Sequence, residues 1–105
     1  MREIRYRVAL GDDEDYLRTS IDTEGKTVLA FVAQYETAYK GDVTPVARYD
    51  TAHGRAHRDE FDRYGATRKV WLPEHLSFAE ALQEADRDLR ENWQRYKDRF
   101  LEGFS

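Results

Sequence analysis

The sequence predicts an α+β fold: an antiparallel β-meander of about four or five strands, residues 2–72, with one long C-terminal α-helix, residues 77–102, packed across one face. Three observations lead there. Short apolar segments rich in Val, Ile, Tyr and Phe recur between turn signals up to Leu72. Beyond Pro73 the apolar period changes from two to that of a helix. The helical stripe is strongly aromatic and must be covered, and the only other apolar surface is the sheet. At 105 residues, with no repeat, low-complexity tract or linker, the chain is expected to be a single domain, 1–105.

Each element has its own signal. From Arg2 to Leu10, Ile4, Tyr6, Val8 and Leu10 share one face while Arg5 and Arg7 share the other, which reads as a half-buried strand. The acid run Asp12 to Asp15 breaks it and is expected to be a solvated loop; it lacks the ligand spacing of an EF-hand. Tyr16 to Thr23 stays ambiguous between a short strand, a helical turn and an ordered loop. Lys26 to Tyr39 is the strongest strand, apolar on both faces near its start and therefore expected to be central. Lys40-Gly41-Asp42 is a tight turn, and Val43 to Asp50 is the return strand. Pro45 within it cannot donate a ladder hydrogen bond, so it belongs at a strand start, a bulge or an edge.

Thr51 to Ala56 turns around Gly54. His57 to Arg63 is another strand, charged enough to be expected near the sheet edge or curling into solvent. Tyr64-Gly65-Ala66 turns the chain into Thr67 to Leu72, with Val70 and Leu72 on one face and Trp71 on the other. Ser77-Phe78-Ala79-Glu80 has the spacing of a capping box. Phe78, Leu82, Ala85, Leu89, Trp93, Tyr96 and Phe100 then form one stripe along about seven turns, roughly 38 Å. Gly103 suits the helix end. Such a rod is expected to overhang the sheet, so that Phe100, Leu101 and Phe104 reach a second subunit.

Composition narrows the functional classes. Charged residues reach 36% but the net charge is −4, so the chain as a whole is not polybasic. Absence of cysteine excludes disulfides, thiol chemistry and cysteine-ligated zinc. No apolar run approaches membrane-spanning length, and a cytoplasmic location without membrane association is expected. The charge is uneven. Residues 48–69 hold six basic and four acidic residues, whereas residues 11–24 hold six acids and one arginine.

Residues 48–59 concentrate the reactive groups. His57 and Asp59 share a strand face, Asp50 can approach His57 across the hairpin, and His53 sits at the mouth of the loop. Candidate proton-transfer residues are therefore His53 and His57, with Asp50 or Asp59 orienting an imidazole. Arg48, Arg55 and Arg58 are candidates for holding a phosphate. The competing reading is structural: turn Asp and His residues satisfy backbone groups, and alternating charges on a strand form solvated ion pairs. No metal site is assigned, because no third ligand is set by the spacing and the arginines would oppose a cation. No cofactor is implied. His75, beside the helix cap, is read as surface. Trp71, if its sheet face carries no helix, is exposed as part of an aromatic binding platform.

The segment Pro45-Val46-Ala47-Arg48-Tyr49-Asp50-Thr51-Ala52-His53-Gly54, followed by His57-Arg58-Asp59 and Asn92-Trp93-Gln94-Arg95-Tyr96, resembles a small prokaryotic family of uncharacterised proteins in which Arg-Tyr-Asp-x-Ala-His-Gly and His-Arg-Asp elements recur. The likeness spans roughly residues 31–101 and implies membership rather than an activity. A looser similarity links Arg48, Tyr49, Asp50, Ala52 and His53 to the Arg-Tyr-Asp-Asn-Ala-x-His-His segment of small toxins from toxin–antitoxin pairs, thought to attack RNA. Here Gly54 stands where those toxins carry a second histidine, and the long helix is added. Two functions are therefore expected in order: a non-enzymatic interaction module, dimeric, with a protein or RNA partner; and, as the alternative, a toxin-like ribonuclease or phosphodiester-handling enzyme using His53 and His57.

Overall fold

The computed structural model describes residues 1–11 and 14–104. Six strands follow one another: β1 (Arg2–Ala9), β2 (Asp15–Glu24), β3 (Thr27–Tyr39), β4 (Asp42–Asp50), β5 (His57–Phe61) and β6 (Thr67–Trp71). Every neighbouring pair is antiparallel and the spatial order is the chain order, a pure meander. One helix, α1 (Phe78–Glu102), completes the chain and packs on β3, β4 and β5. The sheet thus has six strands rather than four or five. The additional one is β2, whose Leu17, Thr19 and Ile21 alternate with Arg18, Ser20 and Asp22 and pair with β1 on one side and β3 on the other.

The core lies between sheet and helix. Leu17, Phe31, Ala33, Tyr35, Ala47 and Tyr49 from the strands meet Ala81, Ala85, Leu89, Tyr96 and Phe100 from α1. Small alanines on both sides let the helix approach the central strands closely, and the rings fill the flanks. Tyr35 meets Trp93 edge-to-face at 5.8 Å, and Tyr39 meets Phe100 at 5.2 Å. Pro45 resolves to the bulge: the β3–β4 register shifts between Tyr35 and Glu36, with Pro45 opposite Glu36.

Two expectations about the periphery are corrected. β5 lies one strand in from the edge but does not curl into solvent; its His57 and Glu60 are buried, His57 against Asp50 and Glu60 against Arg99. The edge beside it is β6, each of whose residues is exposed. Of the helix-end residues expected to reach a second subunit, Leu101 is exposed while Phe100 and Phe104 are engaged within the chain. Phe100 is 1% exposed. The Phe104 amide donates to Asp62 at 2.9 Å, while the Arg68 guanidinium lies 4.1 Å over the Phe104 ring. Asp62 also accepts from the amides of Tyr64 and Ala66. These bonds, led by that from Phe104, hold its carboxyl below the usual carboxylate range. Of the acid run, Asp12 and Asp13 lie outside the described residues. Asp15 is buried, accepting from the Tyr35 hydroxyl at 2.6 Å and from Lys97 at 3.1 Å.

The helix begins with a complete capping box. The Ser77 hydroxyl accepts from the Glu80 amide at 3.1 Å, and the Glu80 carboxylate accepts from the Ser77 amide at 3.0 Å. Ser77→Ala removes the first of these bonds and is expected to cost about 1 kcal/mol, read as a fall of roughly 4–8 °C in thermal melting. No change in melting would refute the cap's contribution. At the other end Gly103 adopts φ 87° and donates to Arg99, and a side chain there would run into the Tyr64 ring. Among the described residues no helix is long and apolar enough to cross a membrane.

Candidate functional site

Because α1 covers one face of the sheet, alternation sends the other half of each strand to an uncovered face. The register places two rows there. One runs Arg7, Arg18, Gln34, Arg48, Asp59 and Lys69 from β1 to β6; the next runs Arg5, Ser20, Val32, Asp50, His57 and Trp71. At about 4.8 Å between strands, each row spans roughly 24 Å.

Where the two rows meet, Asp50 and His57 of the second and Asp59 of the first come together, three of the residues singled out in the sequence. His57 is 2% exposed. Its Nε2 lies 3.1 Å from Asp50 Oδ1 and 3.3 Å from Asp59 Oδ2. Its Nδ1 lies 3.1 Å from the Arg55 carbonyl oxygen, which can only accept, so Nδ1 carries a hydrogen and donates it. Asp50 Oδ1 also accepts from the Ala52 amide at 2.9 Å, which fixes that carboxylate at the strand end. Thr51 follows, its hydroxyl accepting from the Phe31 amide. Asp59 Oδ1 is fully buried without a hydrogen-bond partner. Trp71 closes the side, its ring edge-to-face with the imidazole at 5.3 Å.

The remaining candidates separate. His53 stands exposed in the short 3₁₀ turn Ala52–Gly54 with φ 65°, and no hydrogen bond or ion pair joins it to His57, Asp50 or Asp59. His53 thus lies in the exposed turn, whereas His57 is buried on the strand that follows. His75 is exposed next to the helix cap. The three arginines go three ways. Arg48 stays on the uncovered face, its Nε 3.7 Å from Asp50 Oδ2 and its guanidinium 5.2 Å from the Phe61 ring centre. Arg55 turns to Glu74 and the Leu72 carbonyl, over the Trp71 ring. Arg58 points to the helix side, donating to Glu60 and to the Tyr49 hydroxyl.

Sequence reasoning missed Arg18, Gln34 and Glu36. Glu36, 4% exposed, accepts from Arg7 at 3.1 Å, from Arg18 at 3.3 Å and from Gln34 at 3.0 Å. The signal was the alternation of Arg18, Ser20 and Asp22 against Leu17, Thr19 and Ile21, which becomes decisive once that segment is a strand. Beside these residues lies an open depression of about 470 Å³, lined by Arg18, Ser20, Gln34, Arg48, Asp50 and Thr51 among others. Arg48 Nε is buried and makes no hydrogen bond, and no other hydrogen bond of Arg48's guanidinium is present among the described residues. On the uncovered face the expected aromatic platform rests on Trp71, 47% exposed. Arg55 and Lys69 lie 5.0 and 5.2 Å from its centre.

No curated protein and no solved structure is found to match this chain. A family model, described as a domain of unknown function (DUF7718), matches residues 1–104, and the chain belongs to that family.

Proposed function

We propose that this chain is a non-enzymatic binding module that lays a phosphate-bearing strand, single-stranded nucleic acid, across the uncovered face of its sheet. The observation that carries this reading is the row Arg7, Arg18, Gln34, Arg48, Asp59, Lys69, which sets four cations along one line spanning all six strands. Phosphate contacts supply most of the affinity of such surfaces. Arg7 and Arg18 keep side chains 44% and 50% exposed while Glu36 fixes their directions. Arg48 borders the depression with hydrogen-bonding capacity left over. Trp71, exposed in the next row, offers a ring for one base, with the cations Arg55 and Lys69 beside it. A row of this length suits roughly four nucleotides, the low end for sheet-based single-strand binders. Asp59 within the row, and Glu36 and Asp50 beside it, offset part of the row's positive charge; further acids lie on the helix and in the acidic stretch before β2. The ribonuclease reading would need the exposed His53 and the buried His57 to act on one phosphate, and no hydrogen bond ties the two rings to a common group among the described residues.

The test is fluorescence anisotropy with a labelled single-stranded oligonucleotide of about ten nucleotides in low salt. The expected result is a dissociation constant in the micromolar range that weakens steeply with salt. Arg18→Ala with Arg48→Ala is expected to weaken binding at least tenfold and to reduce the logarithmic salt slope by about one per residue removed. Both side chains stand on the uncovered face, and a thermal melt checks that the fold is retained. No binding by the parent, or equal binding by the double variant, would overturn the reading.

A further inference from the structure

We infer that Asp50, His57 and Asp59 form a site for one divalent cation of the zinc class, with an open coordination position toward the uncovered face. This inference stands on the geometry of the three side chains and does not depend on nucleic-acid binding.

The first observation is donor direction. The hydrogen on Nδ1 is committed to the Arg55 carbonyl, so in the neutral ring Nε2 carries the lone pair. Metal-ligating histidines are oriented in this way, by donating the other ring hydrogen to a carbonyl or carboxylate. Oxygens of Asp50 and Asp59 lie 3.1 and 3.3 Å from Nε2. Three electron-pair donors thus converge, and something positive must lie among them: a proton or a metal ion.

The second observation is distance. The observed separations are 3.1 and 3.3 Å, and all three ligand atoms lie within 4.8 Å of one another. A tetrahedral ion with bonds of about 2.0–2.2 Å holds its ligands roughly 3.3–3.6 Å apart. The nitrogen–oxygen separations already stand at or just below that spacing, and closing the two carboxylates toward each other would complete it.

The third observation concerns what surrounds the ligands. The imidazole is 97% buried by its 3% side-chain exposure, so its orientation is fixed by packing against Trp71 and not by solvent. Asp50 Oδ1 is held by the Ala52 amide, the kind of outer hydrogen bond that positions a ligating carboxylate. Asp59 Oδ1, buried and without a hydrogen-bond partner, leaves that carboxylate with capacity to spare. The electrostatic objection raised by three nearby arginines falls away for two of them. Arg58 faces the helix and Arg55 faces Glu74. Arg48 touches Asp50 through the other oxygen, at 3.7 Å. One nitrogen and two oxygens suit zinc and its borderline neighbours. With three protein ligands the fourth position belongs to water or to an oxygen of a bound anion.

The experiment uses the full chain, stripped with a chelator and titrated calorimetrically with Zn²⁺, with Co²⁺ as a spectroscopic probe. The expected result is one equivalent bound with a dissociation constant of 10 μM or tighter, proton release that grows as the pH is lowered, and a tetrahedral-type Co²⁺ spectrum. Asp59→Asn, nearly isosteric, is expected to weaken Zn²⁺ at least tenfold while the chain still melts cooperatively. His53→Ala and His75→Ala are expected to bind as the parent does. Absence of stoichiometric uptake at 100 μM Zn²⁺ would overturn the inference, as would uptake unchanged in Asp59→Asn or abolished in His53→Ala. Oligonucleotide binding measured with and without chelator separates this result from the proposed function, since either can fail while the other holds.

Discussion

Glu60→Ala is expected to lower the melting temperature by roughly 12–24 °C, from a loss of about 3 kcal/mol. Glu60 is 5% exposed and sits in β5 facing α1. Its Oε1 accepts two hydrogen bonds from Arg99 of the helix, at 2.7 and 3.1 Å, and has Arg68 of β6 at 3.5 Å. Its Oε2 accepts two contacts from Arg58, at 3.1 and 3.2 Å. One carboxylate therefore ties the last two strands to the last turns of the helix. An exposed ion pair would contribute little. This one differs because its removal strands a cation: the Arg58 side chain is 23% exposed and lies 5.7 Å from the centres of the Tyr49 and Tyr96 rings. The cost is that of an uncompensated charge left in a poorly hydrated place, not merely of lost attraction. Glu60→Gln keeps one acceptor oxygen and is expected to fall between parent and alanine. Arg68→Ala, at the exposed rim, is expected to change melting by less than about 4 °C. A Glu60→Ala protein melting within about 4 °C of the parent would show that the cluster is solvated and energetically idle.

The fold was legible where one signal dominated. The helix stripe from Phe78 to Phe100 has a single solution, and Ser77 with Glu80 marks its start to the residue. Strands β1, β3, β4, β5 and β6 were readable from alternation between turn signals. β2 was not, because Ser20 and Asp22 are weak strand formers and the acid run before them argues for a loop. What makes β2 a strand is its position between β1 and β3, which satisfies its backbone on both sides. Locating β2 also settles the uncovered face, since Arg18 is the link between Arg7 and Gln34. The site was legible in part for the same reason. Asp50, His57 and Asp59 follow from hairpin register, which alternation fixes. The directions of Arg55 and Arg58 do not: Arg55 lies in the loop before β5 and Arg58 within it, and their long side chains seek Glu74 on one side and Glu60 on the other.

Asp88→Ala is expected to destabilise the protein by about 3 kcal/mol and to change both ends of its stability–pH profile. Asp88 Oδ2 accepts from the Tyr49 hydroxyl at 2.6 Å and from the Tyr96 hydroxyl, and Oδ1 accepts from Asn92 at 2.7 Å. Both tyrosines are almost fully buried, so the variant leaves two hydroxyls competing for no acceptor in a place that water reaches poorly. Burial alone would raise the Asp88 carboxyl, but the bonds from Tyr49, Tyr96 and Asn92 outweigh it and hold it below the usual carboxylate range. A depressed carboxyl contributes stability above its unfolded value, near pH 4, and that contribution is lost as the pH falls through the folded value. The tyrosines act at the other end. Burial first, and then the bond to Asp88, push the Tyr49 hydroxyl up to about 12 and the Tyr96 hydroxyl higher still. A raised phenol contributes stability that is complete below pH 10 and is lost as the pH climbs from 10 toward 12 and beyond. Urea midpoints measured from pH 2 to 11.5 should therefore show, for the parent, a plateau from about pH 5 to 10 with a fall on each side. Asp88→Asn should flatten the acid limb, because the group that titrates is gone, and make the alkaline limb shallower, because the carboxylate no longer opposes ionisation of the tyrosines. A profile parallel to the parent's across the whole range would mean that Asp88 is not what couples these two rings.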